Sequence, residues 1–183
     1  MVIDVGGGTT EVGIISLGGV VVTRSAQVGG NHFDTAITEW IKSHHNVLVG
    51  RRTSEDTKLQ VGCAVQRDNA KRAQVTGRDL TSGIPKEVEV SSDDISDAIL
   101  SCLEKVVECL RETLKESPPE LAADITEQGL VLCGGSALLP GLDRFLRDRT
   151  GLPIVVSEDP RRSAAIGAGL LLDDPATLSR VAY

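Results

Sequence analysis

Val2-Ile3-Asp4-Val5-Gly6-Gly7-Gly8-Thr9-Thr10-Glu11-Val12-Gly13-Ile14-Ile15 is the stretch on which the fold turns. An apolar run ends near a carboxylate, glycines and threonines follow, and a second apolar run begins at once. That order describes a strand, a tight loop and a second strand. Glycines carry no Cβ, so backbone N–H groups can approach an anion closely, and the hydroxyls of Thr9 and Thr10 add donors. Asp4, at the strand end, is placed to face a Mg²⁺ ion through water, because Mg²⁺ favours one or two carboxylates together with phosphate oxygens. The segment lacks the lysine of a Walker-type phosphate loop, and no helix follows it as a dinucleotide loop requires. A glycine-rich hairpin without a ligand is the competing reading of this stretch taken alone.

Two further glycine breaks lie downstream. One is Val28-Gly29-Gly30-Asn31-His32-Phe33-Asp34, and the other is Leu130-Val131-Leu132-Cys133-Gly134-Gly135-Ser136-Ala137-Leu138-Leu139. At the second, glycines beside a helix N-terminus let a flat ligand or a ribose lie close to the backbone. Three such breaks, each at a strand end, point to one ligand cleft rather than three unrelated turns.

Outward from these loops, periodicity predicts strands over 1–5, 11–17 and 20–28, with a tight turn at Gly18-Gly19. A helix capped by Asn31 should run to about residue 47, with Phe33, Ile37, Trp40 and Ile41 on one side. A shorter helix capped by Ser54 is expected to about residue 61, then strands over 70–76 and 86–90. Ser91-Ser92-Asp93-Asp94 supplies a cap and acidic first-turn charge for a long helix, and Ile95, Ile99, Leu103, Val106, Leu110 and Leu114 recur along it at helical spacing. Pro118-Pro119 starts another helix. A strand over 130–133, a helix over 138–150, a strand over 154–156 and a helix over 160–172 follow, an alternation that indicates α/β architecture.

The chain has 183 residues, of which 40% are hydrophobic and 25% charged, enough to bury a core without staples. A net charge of −7 argues against nucleic acid as a partner. No run approaches the roughly 18 apolar residues of a membrane span, so no direct membrane insertion is expected from this chain. The first residues also lack the basic and apolar regions of a secretory signal. Cys63, Cys102, Cys109 and Cys133 form no C-x-x-C pair and read as buried free thiols of a reducing cytosol. His44-His45 point apart on a helix and make a poor metal chelate. Phe33, Trp40, Phe145 and Tyr183 are the whole aromatic complement, which leaves the core to Val, Ile, Leu and Ala.

Residues 2–11 and 28–34 resemble the second phosphate loop and following segment of the actin-like ATPases. Pro118-Pro119-Glu120-Leu121-Ala122, Gly129-Leu130-Val131-Leu132 with Gly134-Gly135, and Glu158-Asp159-Pro160 narrow the resemblance to the MreB family of bacterial cell-shape proteins. It extends in order to about residue 172. The resemblance implies an α/β, actin-like (ribonuclease H-like) ATPase lobe, the second lobe only, with an inserted smaller α+β subdomain. The base subdomain would comprise 1–30 and 100–172, the insertion 31–99, and 173–183 would be a loose tail. The implied cofactors are ATP or ADP with Mg²⁺. Asp4 would be the catalytic, metal-facing carboxylate, and Gly6, Gly7, Gly8, Thr9 and Thr10 would cradle the phosphates, with Gly29 and Gly30 in the same cleft. Glu55 and Lys58 match the family's acidic and basic pair at the ribose and base, and Gly134, Gly135 and Ser136 would line the adenosine. From the residues alone, Glu55 and Lys58 are a helical surface pair.

The sequence also departs from the family. Asn31 and His32 stand where an acidic and a polar or charged residue are usual, and Arg161-Arg162-Ser163-Ala164-Ala165-Ile166-Gly167-Ala168-Gly169 differs from the usual last helix. A single Asp-x-Gly-Gly-Gly-Thr is present. In the family, the first phosphate loop, the residue that positions water and the membrane-binding segment belong to the other half. The implied whole protein is a cytoplasmic, ATP-hydrolysing filament former at the inner face of the membrane. Its partners would be copies of itself, the first lobe, and cell-wall or membrane machinery. This chain alone is expected to be inactive. Two alternatives remain: a non-catalytic interaction module derived from such an ATPase, with the Ala164, Ala165 and Ala168 face exposed, or a chaperone-type ATPase, plasmid-segregation filament or sugar kinase of the same superfamily.

Overall fold

The computed structural model describes residues 1–66 and 68–181. Arg67, Ala182 and Tyr183 lie outside the described residues, and with them the last two residues of the expected tail. The elements are β1 (Val2–Val5), β2 (Thr10–Ser16), β3 (Gly19–Ala26), α1 (Gly30–His45), β4 (Val47–Leu48), α2 (Arg51–Val61), β5 (Arg72–Asp79), β6 (Pro85–Ser91), α3 (Ser92–Glu116), α4 (Pro119–Gln128), β7 (Leu130–Cys133), a 3-10 turn (Gly135–Leu138), α5 (Leu142–Thr150), β8 (Ile154–Val156), α6 (Ser163–Leu172) and α7 (Pro175–Val181).

Two sheets form. The larger has the order β3-β2-β1-β7-β8, and the smaller is β4-β5-β6. In the larger, β1 pairs antiparallel with β2 and parallel with β7, so Asp4 lies opposite both Glu11 and Cys133. Side chains alternate across a strand. Ile3 and Val5 are therefore fully buried on one face, while Val2 and Asp4 are half-buried on the other. α3 packs across the buried face. Its capping box is formed by Ser91 and Asp94, and Ile95, Ile99, Leu103, Val106 and Leu110 are wholly buried. Leu114, the last member of the stripe, is only half-buried. One continuous apolar cluster runs from Ile3 and Val5 through Phe33, Ile37 and Ile99 to Val75, Val88 and Val90, joining the two sheets. All four cysteines are buried.

Several boundaries differ from the sequence expectation. α1 is preceded by Gly29, not capped by Asn31, and carries no side-chain cap; the glycine loop after β1 provides partners for its first N–H groups instead. α2 begins after Gly50, and Ser54 lies buried inside it, with its hydroxyl 2.7 Å from that of Thr38. After β7 the chain makes a 3-10 turn, and Gly141 in the left-handed region delays α5 to Leu142. Asp159 accepts from the Arg162 backbone and holds Pro160 in a turn, so α6 starts only at Ser163. The segment expected to be a loose tail carries a short helix, α7.

Candidate functional site

The first glycine loop is anchored by its carbonyls. Gly6 N–H donates to Thr9 O at 2.9 Å and closes the turn. Gly6 O accepts from Gly30 N at 3.0 Å and from Ser136 Oγ at 2.9 Å, and Gly7 O accepts from Asn31 N at 2.7 Å. A trans peptide holds its C=O and the following N–H on opposite sides. With the Gly6 and Gly7 carbonyls drawn onto α1, the Gly7 and Gly8 N–H groups turn outward, and both residues are exposed. Successive outward amides make an anion-binding concavity. Gly29 makes this possible by close approach, since a Cβ there would lie 2.6 Å from Gly6 O and 2.9 Å from Gly7 O.

Thr10 requires a correction. It is fully buried, and its hydroxyl donates to Val28 O at 2.9 Å. It therefore ties β2 to the segment before α1, and its hydroxyl proton is engaged there rather than offered to a phosphate. Thr9 is half-buried at the loop's end.

The third glycine break meets the first. Gly134 has φ +88°, and a Cβ on it would lie 2.4 Å from Asp4 Oδ1 and from Val5 O. Only glycine lets the two loops lie this close. The Cys133 thiol is pushed up to about 11 by burial, and the adjacent Asp4 carboxylate adds to the rise. It stays protonated near neutrality and donates to Asp4. Asp4 lines a groove with Glu11, Gly13 and Arg24 on the open face of the sheet.

The neighbouring cleft, of about 290 Å³, brings together Gly7, Gly30, Glu55, Lys58, Gly135 and Ser136. Of the residues singled out by sequence, Asp4 lies in the adjoining groove, and Gly29 and Thr10 support the loop from behind. Glu55 and Lys58 do not behave alike. Glu55 is exposed at the rim, whereas the Lys58 side chain is 14% exposed and turns back onto α1. Lys58 Nζ lies 2.7 Å from Asp34 Oδ1 and donates to Gly30 O at 3.1 Å. The Asp34 side chain is 3% exposed. Its Oδ1 meets Lys58 at ion-pair distance but out of line for a hydrogen bond, so charge rather than direction holds the pair. The surface-pair reading of Lys58 is therefore replaced by a buried ion pair between α1 and α2. Sequence reasoning quoted Asp34 but gave it no role; a carboxylate on the same helical face as Phe33 and Ile37 was the signal.

The donor set suits Mg²⁺. Among the described residues no three His, Cys, Asp or Glu side chains cluster as a metal site, and Mg²⁺ bound with phosphates asks for only one or two carboxylates. Asp4 is a carboxylate beside the loop, packed closely against Gly134. Among the described residues no helix is long and apolar enough to cross a membrane.

The family model described as MreB/Mbl protein matches residues 1–180. The chain is 43% identical over 173 residues to the cell shape-determining protein MreB of Escherichia coli (strain K12), covering 94% of this chain and 50% of that protein. It is 37% identical over 174 residues to the cell shape-determining protein Mbl of Bacillus subtilis (strain 168), covering 95% and 52%. The chain thus spans about half the length of the curated relatives it matches. Among solved structures, MreB5 of Spiroplasma citri bound to AMPPNP superposes with a TM-score of 0.90 at 40% identity, covering 94% of this chain and 52% of that one. A MamK double helical filament superposes at 0.80 with 19% identity, covering 94% and 54%; that likeness concerns the fold alone.

Proposed function

Because this chain belongs to the MreB/Mbl family and has the fold of an actin-like ATPase lobe, we propose that it is the second, nucleotide-binding lobe of a filament-forming ATPase that sets cell shape. The observation that carries this reading is the loop of outward Gly7 and Gly8 amides, its carbonyls fixed by Gly30, Asn31 and Ser136, beside the cleft that Gly7 lines. The base subdomain is 1–30 with 100–172, and 31–99 is the insertion. The ligand is ATP or ADP; MreB5 of Spiroplasma citri was crystallised with AMPPNP and with ADP.

In this reading Gly6, Gly7, Gly8 and Thr9 hold the phosphates, Gly134, Gly135 and Ser136 lie along the adenosine, and Glu55 and Lys58 border the ribose and base. Asp4 would hold a Mg²⁺ ion, whose chemistry there would be to offset the phosphate charge. Phosphoryl transfer depends on positioning and on donors fixed around the developing charge. This lobe contributes the amides of one side, and a first lobe would contribute the other side and the attacking water. Filament contacts between copies, and attachment to cell-wall machinery at the inner face of the membrane, belong to the whole protein.

Titration of ATP with Mg²⁺ into residues 1–183 tests the reading. Weak binding that requires Mg²⁺ and is lost in Asp4→Ala is expected, with no turnover of ATP. Sustained hydrolysis by residues 1–183, abolished by the same substitution, would overturn the single-lobe assignment.

A second reading, a non-catalytic interaction module, is favoured by one observation. α6 buries none of its residues, and Ile166, Leu170 and Leu172 are exposed. An apolar helix of this kind gains most by covering that face.

A further inference from the structure

The charges of the cleft do not act as their sequence positions suggest. Lys58 carries three N–H donors; one donates to Gly30 O, and Asp34 Oδ1 lies 2.7 Å away as its charge partner. Its positive charge is matched by a buried carboxylate inside the cleft wall. Glu55, at the rim, is negative. One more cation lines the same cleft: Arg161, in the turn between β8 and α6.

Arg161 is exposed and belongs to none of the ion pairs formed among the described residues. The nearby carboxylate of Asp159 is bonded to the neighbouring residue, since Arg162 Nε donates to Asp159 Oδ2 at 2.6 Å, and it feels Arg161 only as a weaker charge without a hydrogen bond. The turn itself is fixed to the site. Gly134 N–H donates to Pro160 O at 2.8 Å, so the residue before Arg161 is bonded to the loop that cradles Asp4. A guanidinium presents a planar fork that matches phosphate oxygens two at a time, which an ammonium already held by a carboxylate does not.

We propose that Arg161, and not Lys58, supplies the exposed positive charge, outside any ion pair, with which this cleft selects a phosphorylated nucleoside over an unphosphorylated one. Lys58 acts as a wall residue that joins α2 to α1. The proposal rests on the nucleotide reading of the cleft and assigns it a specificity residue.

Titration of ADP with Mg²⁺, and separately of adenosine, into residues 1–183 tests it with the wild type, Arg161→Ala and Arg161→Lys at low and high salt. Arg161 is exposed, so these variants keep the fold. Arg161→Ala should weaken ADP about three- to tenfold, reduce the salt dependence of ADP binding, and leave adenosine unchanged. Arg161→Lys should restore most of the ADP affinity. Equal ADP binding by the wild type and Arg161→Ala overturns the proposal and leaves the nucleotide reading standing. Equal weakening of ADP and adenosine also overturns it, because the side chain would then pack on the nucleoside rather than read charge. A wild type that binds neither ligand removes the nucleotide reading, and this proposal with it.

Discussion

At the scale of single residues, the pair formed by Asp34 and Lys58 has the largest consequence for stability. Removing one partner of a buried ion pair leaves the other charge desolvated, a cost of about 3–5 kcal/mol for a fully buried pair. Lys58 keeps some solvent contact, so the lower end applies. Asp34→Ala should therefore lower unfolding stability by about 3 kcal/mol. Adding Lys58→Met should recover much of that loss, because the stranded ammonium is removed with it. Urea denaturation of the two single variants and the double variant measures the coupling. Additive losses would show that the pair contributes packing and little charge. Thr10 teaches the complementary point at the same scale. Its type and position read as a phosphate ligand, yet a buried hydroxyl must satisfy its own hydrogen bond first. Val28 O lies within reach, so that bond wins.

At the scale of elements, one turn and two helices show what local chemistry controls. The loop joining β5 to β6 is closed by Asp79, whose Oδ1 accepts from Thr81 N at 2.9 Å and from Ser82 N at 2.8 Å. These N–H groups, aided by Lys86, hold the Asp79 carboxyl down at about 2 against an ordinary 3.8. A depressed folded value means that the charged form stabilises the hairpin at and above pH 4. That contribution fades as pH falls from about 4 towards 2, since the unfolded chain takes up the proton first. Asp79→Asn should lower stability at pH 7 and flatten the fall in stability through that window; an unchanged acid profile would count against the assignment. α3 and α6 make the contrast between elements. α3 has its capping box and a wholly buried stripe, whereas α6 is apolar on all sides and buries nothing. Amide exchange should be slow along α3 and fast along 163–172, with light scattering showing association of residues 1–183. A monomer with strongly protected amides in α6 would defeat the interaction-module reading.

At the scale of the molecule, much of the fold was legible in the sequence. Strand and helix types, their order and the α3 stripe follow from periodicity, and the glycine breaks follow from sterics; both act within a few residues and leave a readable pattern. The cleft was legible only as three loops that ought to meet. How they meet was decided by contacts between distant segments: Ser136 reaches Gly6 O across 130 positions, Gly134 closes on Asp4, and Lys58 turns from Glu55 on its own helix to Asp34 on another. The start of α1 moved for the same reason, since its first N–H groups found carbonyls of the loop after β1 rather than the side chain of Asn31. The sequence by itself therefore determined the lobe and the chemical character of its loops. Only the tertiary structure decided which amides face outward, which hydroxyl is already bonded and which cation stays outside an ion pair. Those outcomes depend on hydrogen-bond and charge partners that come together only when the two sheets and α1 share one core.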